Sequence, residues 1–241
     1  FERSFSEQSY GFRPGRGCKD ALRRVETLLS RDYAYIVDAD LKSYFDTIPH
    51  ALLLERVREK ISDSRVLRLI EAYLTQGVLD ELKAWTPEVG TPQGAVISPL
   101  LANIYLDPLD RLMAERGIEM VRYADDFILL CRSRVEAEQA LQGVEEWTRA
   151  FGLTLHPEKT QIVHAITEGF DFLGYHFENR KKWPRTKSLK RLKDTIRAKT
   201  RRGNGYSLAT IIADINRTLI GWFGYFKHSH RYTFYPLDKW I

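Results

Sequence analysis

The chain has 241 residues, 44% hydrophobic and 12% aromatic, enough for a large domain with its own core and a smaller companion. No apolar run reaches the ~18 residues of a membrane span, no signal peptide is expected, and Cys18 and Cys131 offer neither a disulfide framework nor metal-ligand spacing. The net charge of +5 conceals a division: residues 178–241 carry 16 Lys and Arg against 4 Asp and Glu, whereas residues 1–177 carry 21 against 28.

In chain order, residues 4–17 are rich in Gly, Pro, Ser and Arg and predict a loop. Lys19 to Leu29 predicts a helix, with Leu22, Val25, Leu28 and Leu29 at helical spacing. A strand is predicted over 33–41, helices over 50–61 and onward to 75, a hairpin over 77–89, and a turn at Gly90-Thr91-Pro92-Gln93-Gly94. Ser98 with Pro99 behind it predicts an N-cap and first turn, and Leu101, Ile104, Tyr105, Leu109 and Leu112 give that helix a buried face. Strands over 120–123 and 127–131 flank Asp125-Asp126. A helix over 135–151 is closed by Gly152, and strands are predicted near 153–155, 161–164 and 170–177. Lys181-Lys182-Trp183-Pro184-Arg185 reads as an exposed basic linker, and two helices follow from Lys187. The fold class expected is α+β, an antiparallel sheet backed by helices, followed by a small helical module.

The chemistry concentrates on carboxylates. Asp125 and Asp126 sit at the tip of a predicted apolar hairpin, where like charges repel and cost free energy to desolvate. An isolated Asp pair is most often a solvated turn. Asp38 and Asp40, however, end another apolar strand and alternation places them on one face. If that strand lies beside the hairpin, three or four carboxylates converge, a set suited to two Mg²⁺ ions and phosphoryl transfer. The basic C-terminal module beside an acidic body predicts a grip on nucleic acid.

The ordered series Ser9-Tyr10-Gly11-Phe12-Arg13-Pro14-Gly15-Arg16, Asp40-Leu41-Lys42-Ser43-Tyr44-Phe45-Asp46, Gly90-Thr91-Pro92-Gln93-Gly94, Ser98-Pro99-Leu100-Leu101-Ala102-Asn103, Tyr123-Ala124-Asp125-Asp126, Pro157-Glu158-Lys159-Thr160 and Phe172-Leu173-Gly174-Tyr175 resembles the reverse transcriptases encoded by group II introns. Gly221-Trp222-Phe223-Gly224-Tyr225-Phe226 is similar to the helix signature of the maturase thumb, or X domain. The resemblance implies a right-hand polymerase palm with partial fingers over 1–177, and a basic linker with a helical thumb over 178–241. It implies an RNA-directed DNA polymerase that also binds intron RNA in splicing and mobility, with RNA template, DNA primer and dNTPs as partners.

Residue by residue, Asp40, Asp125 and Asp126 match the catalytic triad that binds two Mg²⁺, with Mn²⁺ a substitute. Asp38 is either an outer carboxylate or an ordinary polar strand residue. Phe45 matches the steric gate, whose ring would occupy the space of a ribonucleotide 2′-hydroxyl; by its residue type alone it is a core aromatic. Gln93 and Gly94 match the turn near the nucleotide, and Lys159 the lysine that meets the leaving pyrophosphate. Arg13 and Arg16 fall in the segment facing the template. Lys190, Lys193, Arg197, Arg201 and Arg202 would contact nucleic-acid phosphates, while Trp222 and Tyr225 read as core.

The family's early fingers motifs would lie before Phe1. The expectation is therefore a fragment, intracellular in a bacterial cytoplasm or an organelle, that polymerises poorly alone. Two alternatives stand beside the polymerase: an RNA-binding splicing cofactor with a decayed polymerase, and a domesticated, CRISPR-associated or defence, reverse transcriptase. The intact carboxylate set speaks against the first, and the thumb signature against the second.

Overall fold

A computed structural model describes residues 1–75, 78–80, 83–85, 89–91 and 95–241, with the side chains of 78–80 and 83–85 left aside. The chain divides into two compact units, Phe1–His164 and Ala165–Ile241.

The first unit contains α1 (Cys18–Ser30), β1 (Tyr35–Asp40), α2 (Tyr44–Thr47), α3 (His50–Arg58), α4 (Ser64–Leu74), β2 (Val78–Asp80), β3 (Lys83–Trp85), α5 (Ser98–Glu115), β4 (Glu119–Tyr123), β5 (Asp126–Cys131), α6 (Arg134–Ala150) and β6 (Gln161–His164). Its main sheet runs β4-β5-β1-β6 with every neighbour antiparallel. The two central strands are apolar runs: Ile36 and Val37, and Phe127 through Cys131, are completely buried. Such strands are covered on both faces, and each fully buried large side chain contributes roughly 1.5–3 kcal/mol.

Alternation sorts the faces. Val37, Ala39, Phe127, Leu129 and Cys131 join the main core with residues of α3, α5 and α6. Ile36, Asp38 and Asp40 therefore occupy the other face of β1, beside Leu130, Ile128 and Asp126 of β5. Helices α3, α5 and α6 pack on one face of the sheet, and the carboxylates stand at the end of the other, where Ile36, Ile128 and Leu130 are also fully buried. This is the predicted α+β arrangement.

Two local expectations are corrected. Helix α5 starts at Ser98, with Ile97 in the N-cap position, so Ser98 is a buried first-turn residue. Residues 153–155 form no strand but one bridge, Leu41 to Leu155. By contrast α6 is capped as a helix start should be: Ser133 accepts from the Glu136 amide and Glu136 accepts from the Arg132 amide.

The second unit contains β7 (Phe170–Phe172), β8 (Tyr175–Glu178), β9 (Lys181–Pro184), α7 (Thr186–Lys199), α8 (Leu208–Phe226) and α9 (Phe234–Trp240). The stretch 170–177, expected as one strand, is a hairpin. Leu173 and Gly174 both take positive φ (47° and 83°), the two-residue turn that matches strand twist. The expected basic linker 181–185 is in fact strand β9. Lys182 is only 8% exposed, and its ammonium lies 5.3 Å from the centre of the Tyr175 ring. A lysine stem can cover an aromatic face, so two adjacent charges did not preclude a strand. The helices share a core of Leu192, Ile196 and Leu237, against which Trp222 and Trp240 pack.

Candidate active site

The hairpin β4–β5 pairs Tyr123 with Asp126, so Ala124 and Asp125 form its two-residue turn. Ala124 has φ of 60°, a conformation that favours glycine and costs an L-residue roughly 1–2 kcal/mol. Across the sheet Asp126 is the direct partner of Asp40. Residues directly opposite in an antiparallel pair project on the same face with Cβ atoms about 5 Å apart. Asp125 lies close enough to Asp40 for its charge to be felt. Burial pushes the Asp125 carboxyl above the usual range, and Asp40's charge adds to this; the backbone amide and Arg122 oppose it.

Asp38, on the same face two residues before Asp40, pairs with Ile128 and Gln161 and is half-buried.

Lys159 arrives by a separate route. The His156 amide donates to the Asp40 carbonyl at 2.7 Å, and a tight turn then has Lys159 N–H donate to the His156 carbonyl at 3.2 Å. This places the Lys159 ammonium 2.8 Å from Asp40 Oδ2. Beyond the end of β1, α2 is held from behind by residues 90 and 91. Tyr44 is buried and its hydroxyl donates to the Ala102 carbonyl at 2.7 Å. Phe45 is half-buried against the core, edge-on to Tyr44. The Thr91 amide donates to the Phe45 carbonyl at 2.6 Å and the Gly90 amide to the Ile48 carbonyl at 2.8 Å. A Cβ on Gly90 would stand 2.9 Å from the Asp46 backbone, at a φ of 89°. Only glycine permits that approach. Gln93 and Gly94 lie outside the described residues.

Arg13 is committed elsewhere. Its guanidinium donates to Glu2 Oε1 and to the carbonyls of Glu2, Ser6 and Ser9. Arg16 donates to the Glu7 and Ser9 carbonyls and stacks over Tyr10. Both arginines organise the N-terminal loop. In the second unit Lys190, Arg197, Arg201 and Arg202 are exposed and Lys193 is half-buried. Lys193 and Arg197 lie over the Trp240 ring. Tyr225 donates from its hydroxyl to the Leu173 carbonyl at 2.8 Å, and Trp222 packs on the small core.

Sequence reasoning missed a buried polar group under the turn. Arg122 is fully buried. Its Nε and Nη2 donate to the two oxygens of Asp110, at 2.7 and 2.6 Å. Its Nη1 donates to Asn103 Oδ1 at 2.9 Å and to the Ala124 carbonyl at 2.8 Å. Asn103 Nδ2 in turn donates to the Gly11 carbonyl at 2.9 Å. Burial raises the Asp110 carboxyl while the guanidinium beside it pulls back. A charged donor to a carbonyl is worth about 1.5–3 kcal/mol, enough to offset the backbone cost at Ala124. A readable signal existed: Asn103, Asp107 and Asp110 fall at i, i+4 and i+7 in an otherwise apolar helix.

The donor set is hard oxygen on a site where two carboxylates face each other and a third is destabilised as an anion. That fits a divalent cation. Among the described residues no three acidic, His or Cys side chains are gathered tightly enough to cage one. Mg²⁺ does not require a cage, because it commonly takes one or two carboxylates and completes its shell with water and phosphate oxygens.

Residues 1–177 match the family described as reverse transcriptase (RNA-dependent DNA polymerase), and residues 189–241 match the group II intron, maturase-specific domain. Protein YkfC of Escherichia coli is 33% identical over 73% of this chain and 56% of its own length. The group II intron-encoded protein LtrA of Lactococcus lactis is 35% identical over 53% of this chain and 21% of its own length. An uncharacterised 91 kDa protein in the cob intron of Schizosaccharomyces pombe is 31% identical over 75% of this chain and 30% of its own. The chain thus spans between about a third and just over half of the relatives YkfC and the cob-intron protein. The structure of apo telomerase from Candida tropicalis shares the fold, with a TM-score of 0.62 at 13% identity, over 90% of this chain and 46% of that one.

Proposed function

The chain belongs to the reverse transcriptase family, and on that premise we propose that it is the polymerase centre of a group II intron-encoded RNA-directed DNA polymerase. The observation that carries the reading is the direct opposition of Asp40 and Asp126 across β1 and β5, with Asp125 in the adjoining turn. The reaction is attack by a primer 3′-hydroxyl on the α-phosphate of a dNTP. The O3′–Pα bond forms, the bond from Pα to the bridging oxygen breaks, pyrophosphate leaves and the hydroxyl proton passes to solvent.

In this reading Asp40, Asp125 and Asp126 hold two Mg²⁺ ions. Bound there, the ions would lower the pKa of the 3′-hydroxyl and neutralise charge on the leaving oxygen. Lys159, already beside Asp40, meets the leaving pyrophosphate. Phe45 fills the space of a 2′-hydroxyl, and Gln93 and Gly94 approach the nucleotide. We further propose residues 1–177 as palm and partial fingers, and 178–241 as the module that carries the thumb. Its Lys190, Lys193, Arg197, Arg201 and Arg202 contact template–primer or intron RNA through phosphates. Arg13 and Arg16 act by holding the loop that borders the template. Among the described residues no helix is long and apolar enough to cross a membrane; we place the protein inside the cell, in bacterial cytoplasm or an organelle.

Primer extension on an RNA template by the full-length protein tests the reading: dNTP-dependent extension that requires a divalent cation supports it, and RNA binding without extension favours the splicing-cofactor alternative. Phe45→Ala is expected to admit ribonucleotides, raising relative rNTP incorporation by on the order of 10- to 100-fold while dNTP incorporation changes little. Steady-state kcat/KM for dCTP against CTP measures this. An unchanged ratio would mean that Phe45 is only a core aromatic.

A further inference from the structure

We infer that Arg122 is the positioning residue of the carboxylate turn, acting from inside the protein with Asp110, Asn103 and Gly11. The inference rests on the reading of Asp125 and Asp126 as metal ligands, and adds how their backbone is held.

Two supports meet at Ala124, one on each of its peptide units, and two further residues brace them. From below, Arg122 Nη1 donates to the Ala124 carbonyl. From the side, Gly11 abuts the preceding peptide, between Tyr123 and Ala124, so tightly that a Cβ there would stand 2.3 Å from the Ala124 nitrogen. Asn103 ties these two supports together, accepting from Arg122 and donating to Gly11. Asp110 fixes the guanidinium in a two-point grip that sets its plane. The Arg122 backbone is also locked, because its amide donates to the Gln8 carbonyl and its carbonyl accepts from the Tyr10 amide. Arg122, Asp110, Asn103 and Gly11 are all buried.

The chemistry needs an arginine. Asp125 follows Ala124 directly, so a rotation of the Ala124 peptide swings the Asp125 side chain relative to Asp40. A planar fork can hold two carboxylate oxygens and two carbonyl-type oxygens at once; an ammonium cannot reproduce that set. The frame touches neither nucleotide nor primer. Its consequence is therefore specific: disturbing it alters where the carboxylates stand, and so how tightly they share a cation, before it alters substrate binding. Outer residues of this kind typically tune metal affinity by about 10- to 100-fold.

The test is Mn²⁺ binding to the full-length protein, read from the free-ion EPR signal without substrate. Asp125→Asn serves as the control that identifies the site. Arg122→Lys is expected to retain the far-UV circular dichroism of the parent and to weaken the Asp125-dependent Mn²⁺ site about 10- to 100-fold. Should Arg122→Lys not fold, Asn103→Ala, which leaves the Arg122–Asp110 pair whole, is read in the same titration and is expected to weaken that site too. A folded variant with a lowered Tm and parental Mn²⁺ affinity would overturn the inference, because Arg122 would then be merely structural. If Asp125→Asn itself leaves Mn²⁺ binding unchanged, the metal-centre reading fails instead.

Discussion

Asp125→Asn is expected to lower RNA-templated primer extension by about a thousandfold or more, while the protein stays folded and becomes slightly more stable. The two halves of the result have one cause. The carboxylate sits in the two-residue turn, partly buried and facing Asp40, and both conditions disfavour its charged form. Its pKa in the folded state lies above the unfolded value, so the ionised group opposes folding once the pH exceeds the unfolded pKa, and this penalty is complete above the folded pKa. Asn keeps the shape and removes the penalty. Catalysis loses a ligand worth several kcal/mol of transition-state charge stabilisation, which is about three powers of ten in rate. Single-turnover extension and a thermal melt at neutral pH measure the two effects. Retention of a tenth of the activity would show that Asp125 is not a ligand, and a lowered Tm would show that its environment is not electrostatically hostile.

The second large effect concerns stability. Asp110→Ala is expected to cost about 3–5 kcal/mol, because it leaves the Arg122 guanidinium buried without a counter-charge. Replacing both partners by apolar residues, Asp110→Leu with Arg122→Met, removes the uncompensated charge and is expected to recover most of that loss. Polymerase activity should stay impaired in the double variant, since the Ala124 carbonyl still lacks its donor. Urea unfolding of the single and double variants separates these terms. A single-variant change within about 0.5 kcal/mol would mean that water or a neighbouring acceptor replaces Asp110.

Much of the site was legible because strand chemistry is regular. Alternation alone put Asp38 and Asp40 on one face, and the apolar runs flanking Asp125-Asp126 located the hairpin. Register is different. Nothing local states that Asp40 faces Asp126; that follows from how β1 and β5 bury Val37 against Leu129 and Ile36 against Leu130. The Arg122 frame stayed hidden because a charged residue within a strand ordinarily points to solvent, and its counter-charge lies twelve residues earlier on a helix. Arg13 shows a contact that residue type does not announce. A basic residue in a Gly- and Pro-rich loop suggests phosphate, yet its donors close that loop on itself. In the second unit, strand β9 was obscured by Lys181 and Lys182, since periodicity counts a lysine as polar while its stem lies on Tyr175. The 173–174 turn was masked because leucine seldom adopts positive φ.

The central claim, that Asp40, Asp125 and Asp126 form one divalent-metal site, is tested most directly by metal-directed cleavage of the full-length protein. Fe²⁺ reduces added hydrogen peroxide to hydroxyl radicals that cut the backbone beside the bound ion, ascorbate returning the Fe³⁺ to Fe²⁺, independently of polymerase activity. The predicted result is cleavage confined to the neighbourhood of Asp40 and of the Ala124–Asp126 turn, suppressed by excess Mg²⁺ and lost in Asp125→Asn. Cleavage at only one of these two segments, or a pattern unchanged by Asp125→Asn, would contradict the account.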